Sequence, residues 1–132
     1  MSLLQLVYSS RPFGFDDAAL YAILTEARRH NAQADITGCL ICRPDLYLQW
    51  LEGPPDAVEA LYARIRRDDR HDAVTRHIHA PADTRLFPDW AMKDDPARSW
   101  LWTQAEVADG ALGQASEEAF RQVFERVASD AA

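Results

Sequence analysis

Ile36 to Cys42 and Leu46 to Glu52 are two apolar, β-forming runs separated only by Arg43-Pro44-Asp45, and the second leads straight into Gly53-Pro54-Pro55. Proline's fixed φ and an aspartate that accepts turn geometry reverse the chain within three residues, so the two runs are expected to pair as an antiparallel hairpin. Gly-Pro-Pro then ends the second strand and opens a helix, because a proline in the first helical turn lacks only an N–H that would have no partner there. A hairpin joined to a helix without a linker leaves the rest of the chain to be layered onto it.

The flanking segments supply those layers. Leu3 to Ser9 reads as a first strand, closed by the turn signals of Ser10, Pro12 and Gly14. From Asp16, a candidate N-cap, the apolar spacing becomes helical through Leu20, Ile23, Leu24 and Ala27, with Asn31 as the expected C-terminus. Val58, Leu61, Tyr62 and Ile65 mark the stripe of the second helix, Val74 to His79 a fourth strand, and Phe87 to Met92 a short fifth one. The order β-α-β-β-α-β with an added strand predicts an α+β ferredoxin-like sandwich, with two helices on one sheet face. Residues 1–92 form the expected core domain. Residues 93–132 hold eight acidic and four basic side chains and read as a helical appendage, in which Ser116 caps a helix carrying the stripe Phe120, Val123, Phe124 and Val127. That stripe needs a partner surface, either the open face of the sheet or a second subunit.

Composition narrows the function classes. With 132 residues, 48% of them hydrophobic, the chain suits one globular domain. Its 14 Lys+Arg against 21 Asp+Glu leave a formal charge of −7, so neither duplex DNA nor an anionic membrane is an expected partner. No apolar run approaches membrane-spanning length and Met1 to Pro12 does not read as a secretory leader, which points to the cytoplasm. Cys39 and Cys42 are spaced C-x-x-C, but on a strand they face opposite ways and read as buried free thiols. His77 and His79 are expected to share a strand face, without the further ligands a metal would need.

Several residues are candidates for binding. Tyr8 falls on the strand face of Leu4 and Leu6, and Gln49 on that of Tyr47 and Leu51. A phenol and an amide inside a sheet layer need hydrogen-bond partners, and could satisfy each other and a ligand; the alternative is that both face solvent. His30 and Asn31 end one helix and Asp68, Asp69, Arg70 and His71 the next, so they could converge on a planar heterocycle edged with carbonyl and imide groups, or serve as ordinary helix-end residues. Trp90 and Met92 share a face in F-P-D-W-A-M.

Six ordered blocks carry a resemblance: L-V-Y-S-S containing Tyr8, R-R-H-N ending at Asn31, I-T-G-C-L at 36–40, L-Q-W-L-E-G at 48–53, D-D-R-H at 68–71, and F-P-D-W-A-M at 87–92. Together they resemble the BLUF family, sensors of blue light using flavin, from about Leu3 to Met92. The resemblance implies a noncovalent flavin, usually FAD although FMN or riboflavin would make the same ring contacts, and no enzymatic turnover by this chain. It makes Tyr8 the photochemical electron and proton donor and Gln49 the bridge to the flavin. Asn31, His30, Asp68, Arg70 and His71 are implied ring contacts, with Ile36 and Ile65 as apolar walls. Trp90 and Met92 become the relay through which a rearranged Gln49 signals, by the fifth strand and the C-terminal helices, to a downstream protein that the residues do not identify. The hairpin lacks the family's usual glycine, and Tyr47 stands where phenylalanine is common. A homo-oligomer is compatible with the apolar final helix. Two other classes remain at this point: a ligand-free ferredoxin-like dimerisation module, and a small acylphosphatase-like hydrolase, for which Ser9 to Gly14 is a poor phosphate cradle.

Overall fold

A computed structural model of the chain describes residues 2–12, 17–68, 71–96 and 100–130. The elements follow the order β1 (Leu3–Pro12), α1 (Asp17–Ala34), β2 (Thr37–Arg43), β3 (Leu46–Gly53), α2 (Pro55–Arg67), β4 (His71–Ala82), β5 (Lys93–Pro96), α3 (Gln104–Ala108), α4 (Ala111–Gln114) and α5 (Glu117–Asp130). The sheet order is β4-β1-β3-β2-β5, with β2 and β3 paired as the expected hairpin. The first four strands are antiparallel neighbours in the ferredoxin-like order, and β5 adds to the β2 edge in parallel. Among the described residues, no helix is long and apolar enough to cross a membrane.

Both faces of the sheet are covered, which explains why every residue of β3 is buried. On one face, Leu4, Leu6, Tyr8, Leu40 and Leu51 pack against Leu24 of α1 and Val58 of α2. On the other, Val7, Ile41, Leu48, Trp50 and Ile78 pack against Phe120, Phe124 and Val127 of α5. The apolar stripe read from the last helix therefore lies on the sheet. Cys39 and Cys42 point to opposite faces, as their spacing requires. Where β2 meets β3, a Cβ on Gly38 would lie 1.9 Å from the Trp50 carbonyl oxygen, so only glycine lets the two backbones approach there.

Local departures have identifiable causes. Helix α1 runs on to Ala34 rather than stopping at Asn31, because Asp35 takes the left-handed conformation at φ 60° and the Ile36 N–H reaches back to the Asn31 carbonyl. The N-cap expected at Asp16 lies outside the described residues. No strand forms over 87–92; the fifth strand comes later, at Lys93–Pro96. Pro88 has no N–H, and side chains engage several of the neighbouring backbone groups: Glu52 takes the Leu86 and Phe87 N–H groups, while Asn31 and Arg28 donate to the carbonyls of Ala91 and Met92. A register shift opposite Val7 and Tyr8 separates the two histidines expected to share a face. His77 stacks on Phe120 with ring centroids 4.0 Å apart, whereas His79 pairs with Glu59 of α2. The short helix α3 carries a capping box, Thr103 with Glu106, whose T-x-x-E signature is visible in the sequence.

Phe124 is fully buried, 5.5 Å from Trp50 and 6.4 Å from Phe87 between ring centroids. Phe124→Ala is expected to lower stability by about 3–5 kcal/mol in urea unfolding. Burial lowers the pKa of His77 from 6.5 to about 4, so the fold favours its neutral form. The stability this contributes is complete above the unfolded-state value and lost as pH falls through about 4. Urea midpoints of the wild type are therefore expected to fall faster than those of His77→Phe between pH 6.5 and 4.

Candidate functional site

Between α1, α2 and the sheet lies a cavity of about 310 Å³, a size typical of small-molecule sites. Apolar walls come from Ile23 and Ala27 of α1, Leu40 of β2, and Leu61 and Ile65 of α2. Tyr8, His30, Asn31, Tyr47, Gln49, Arg64, Arg67, Asp68 and His71 give it a polar lining. The helical repeats that read as plain core stripes thus divide their work, packing on the sheet along one edge and facing the cavity along the other. Leu40 and the two arginines were not anticipated as lining. Ile23, Ala27 and Leu61 were visible as stripe residues, but nothing in their spacing marks which part of a stripe faces empty space.

The centre of the polar wall follows from strand register. Tyr8 stands directly opposite Gln49 across the β1–β3 ladder, and Leu40 is opposite Gln49 on its other side. The Tyr8 hydroxyl donates to Gln49 Oε1. Gln49 Nε2 in turn lies 3.2 Å from Met92 Sδ, a weak acceptor. Burial, with smaller contributions from Asp68, Tyr62 and Tyr47, pushes the Tyr8 phenol well above its ordinary pKa and keeps its proton in place. His71 is held from both sides, with Nδ1 2.6 Å from Ser10 Oγ and Nε2 2.8 Å from the Ile65 carbonyl. A carbonyl only accepts, so Nε2 carries a proton toward Ile65, and in the neutral imidazole Ser10 donates to Nδ1. The Tyr8 and Tyr47 rings flank the imidazole at 6.3 and 6.4 Å.

Asn31 completes this wall. It is fully buried and donates through Nδ2 to the Ala91 carbonyl, while its Oδ1 has no hydrogen-bond partner among the described residues. An unpaired buried acceptor bordering a cavity calls for a donor from a bound molecule. His30 lies 3.2 Å from Arg64 through Nδ1. Ile36 is buried in the core behind the site and does not line it. Met92 is buried and joined to Gln49, whereas Trp90 is 45% exposed and also stands away from the lining. Arg70 lies outside the described residues.

A family model described as BLUF, sensors of blue-light using FAD, matches residues 3–93. The chain belongs to the BLUF family. Among curated relatives, a photoactivated adenylate cyclase subunit beta from Euglena gracilis is 44% identical over 92 residues, covering 69% of this chain but 10% of that subunit. Among solved structures, the dark state of the BLUF protein BlrB superposes with a TM-score of 0.81 at 29% identity, over 98% of this chain and 97% of that one. A bacterial light-regulated adenylyl cyclase gives 0.71 at 30% identity, over 85% of this chain and 34% of the cyclase. BLUF domains are flavin-binding sensory modules for blue light, which sets aside the dimerisation-module and hydrolase readings. The cavity fits that ligand class: the unpartnered Asn31 Oδ1 suits an imide N–H, and the facing apolar walls suit a planar ring.

In this BLUF domain the Gln49 oxygen depends on the Tyr8 hydroxyl. Tyr8→Phe is expected to leave that buried acceptor unpaired and lower the stability of the ligand-free protein by about 1–3 kcal/mol, measured by urea unfolding.

Proposed function

We propose that this chain is a blue-light photoreceptor in which Tyr8 and Gln49 form the photoactive pair and Met92 is the first element of the output. The observation that carries this reading is the buried relay from the Tyr8 hydroxyl through the Gln49 amide to Met92 Sδ, set in the wall of the cavity. Asn31 would hold the imide edge of the flavin, with His30, Asp68, Arg70 and His71 around the ring and Ile65 as an apolar wall. Ile36 supports that wall from behind. FAD is the favoured flavin because the family description names it, and the ring contacts serve FMN or riboflavin equally well.

A flavin excited by blue light supplies a strong one-electron oxidant. Tyr8 is the nearby phenol able to give up an electron, and an oxidised phenol is a far stronger acid than the neutral one. Its proton has a ready acceptor in Gln49 Oε1. When electron and proton return, Tyr8 is restored, and Gln49 remains rotated or tautomerised. The altered amide would no longer make the same bond to Met92 and would present a donor to the bound flavin, which would lower its excitation energy and shift its spectrum to the red. Residues 1–92 act as the sensing unit, and Trp90, Met92 and residues 93–132 carry the change to a cytoplasmic protein partner.

Absorption spectra of the flavin-loaded protein in the dark, after blue light and during recovery test this reading. The expected result is a small, reversible red shift. Gln49→Leu is expected to keep bound flavin and lose the shift; a normal shift in that variant overturns the role given to Gln49, and failure to bind flavin overturns the whole reading.

A further inference from the structure

Residues 83–92 cross from β4 at one edge of the sheet to β5 at the other, and they change faces on the way. Phe87 lies in the α5 core, in edge contact with Trp50 and Phe124. Met92 lies in the opposite core, against Gln49. One short strap therefore touches both the cavity wall and the last helix.

The strap is held by two sets of bonds. At its far end, Gly38 N–H donates to the Trp90 carbonyl, Asn31 to Ala91, Arg28 to Met92, and Gln49 to Met92 Sδ. Asn31 and Gln49 line the cavity, so this set is exposed to whatever happens there. Nearer its start the strap is gripped by Glu52, a carboxylate with 0% exposure. Its Oε1 accepts from the Leu86 N–H at 2.7 Å and Trp50 Nε1 at 3.0 Å. Its Oε2 accepts from the Phe87 N–H at 2.7 Å and Thr37 Oγ1 at 2.9 Å. Arg85 backs the grip, donating to Thr37 Oγ1 and the Asp35 carbonyl.

A buried carboxylate is a poor choice for stability alone, since an apolar side chain of similar volume often does as well. What four converging donors add is a fixed position: short charge-assisted bonds to two successive backbone N–H groups set the place and direction of the chain at Phe87. Glu52 touches none of the residues that line the cavity through these bonds, so the grip stays when the other set changes.

We propose that Glu52 is a positioning residue for signal output. It pins Leu86 and Phe87 as a pivot, so that rearrangement of Gln49 and Met92 turns the strap about that point and alters how Phe87 packs on Phe124 of α5. This rests on reading the cavity as a flavin site.

Hydrogen–deuterium exchange of α5 amides in the flavin-loaded protein, dark against blue light, tests the pivot. In the wild type, blue light is expected to change exchange across residues 120–128 at least about fivefold. Glu52→Gln keeps the volume but turns one acceptor oxygen into a donor facing an N–H, so one strap bond is lost. The variant is expected to keep the red shift and lose most of the light-dependent change in α5. Phe87→Leu leaves the Glu52 bonds intact and shortens the contacts to Phe124 of α5 and to Trp50, so it serves where Glu52→Gln does not fold and is expected to behave alike. A full α5 response in either red-shifting variant overturns the pivot alone, as does a wild type that red-shifts with α5 unchanged. A wild type with no red shift overturns both the pivot and the photoreceptor reading.

Discussion

Seven consecutive cross-strand pairs hold β1 against β3, from Leu4 opposite Gly53 to Ser10 opposite Tyr47, and the site depends on that register. Side chains alternate along a strand, so a slip of β1 by one residue would turn Tyr8 toward α5, away from Gln49, and bring Val7 to the cavity face. The register is secured because both faces are buried: each strand has an apolar set committed to α1 and α2 and another committed to α5. Here the same burial that stabilises the two central strands also aligns a phenol with an amide, and it dries the environment in which they meet.

Dryness and pairing together give the polar wall its character. The Tyr8 phenol keeps its proton because burial disfavours the anion, and its hydroxyl donates to an amide whose other end rests on a thioether. That thioether is a weak partner, so the amide is held in one orientation by a strong bond on one side and a soft one on the other. Asn31 shows a related division. Its amino group is committed to the Ala91 carbonyl, and its oxygen is left for the cavity. Two side-chain amides thus border the cavity and hold the segment 90–92 at the same time, so a change of hydrogen bonding in one place is felt in the other.

The segment between β4 and β5 links the two cores because most of its backbone bonds go to side chains and only the Trp90 carbonyl is bonded by β2, through the Gly38 N–H. Glu52 of β3 and Asn31 and Arg28 of α1 each take a backbone group of residues 86–92 that a strand partner would otherwise bond. A ladder would hold the segment flat against β2. Side-chain bonds instead let it pass over the end of the sheet, with Phe87 on one face and Met92 on the other.

Local pattern was enough to predict the hairpin at Arg43-Pro44-Asp45, the Gly-Pro-Pro start of α2, the apolar stripes of α1, α2 and α5, and the strand faces of Tyr8 and Gln49, because turn chemistry and side-chain period act over a few residues. The family blocks extended this to candidate ring contacts. Other features required elements distant in the chain to meet. The left-handed residue ending α1 is Asp35 rather than Asn31, and a bulge parts His77 from His79. The fifth strand begins at Lys93 because side chains from β3 and α1 claim the backbone before it, and Glu52, which reads as an ordinary strand-end carboxylate, becomes the anchor for Leu86 and Phe87. Periodicity thus determined which face a side chain takes, whereas only the tertiary structure decided what waits on that face, since a hydrogen-bond partner thirty residues away leaves no trace in local spacing.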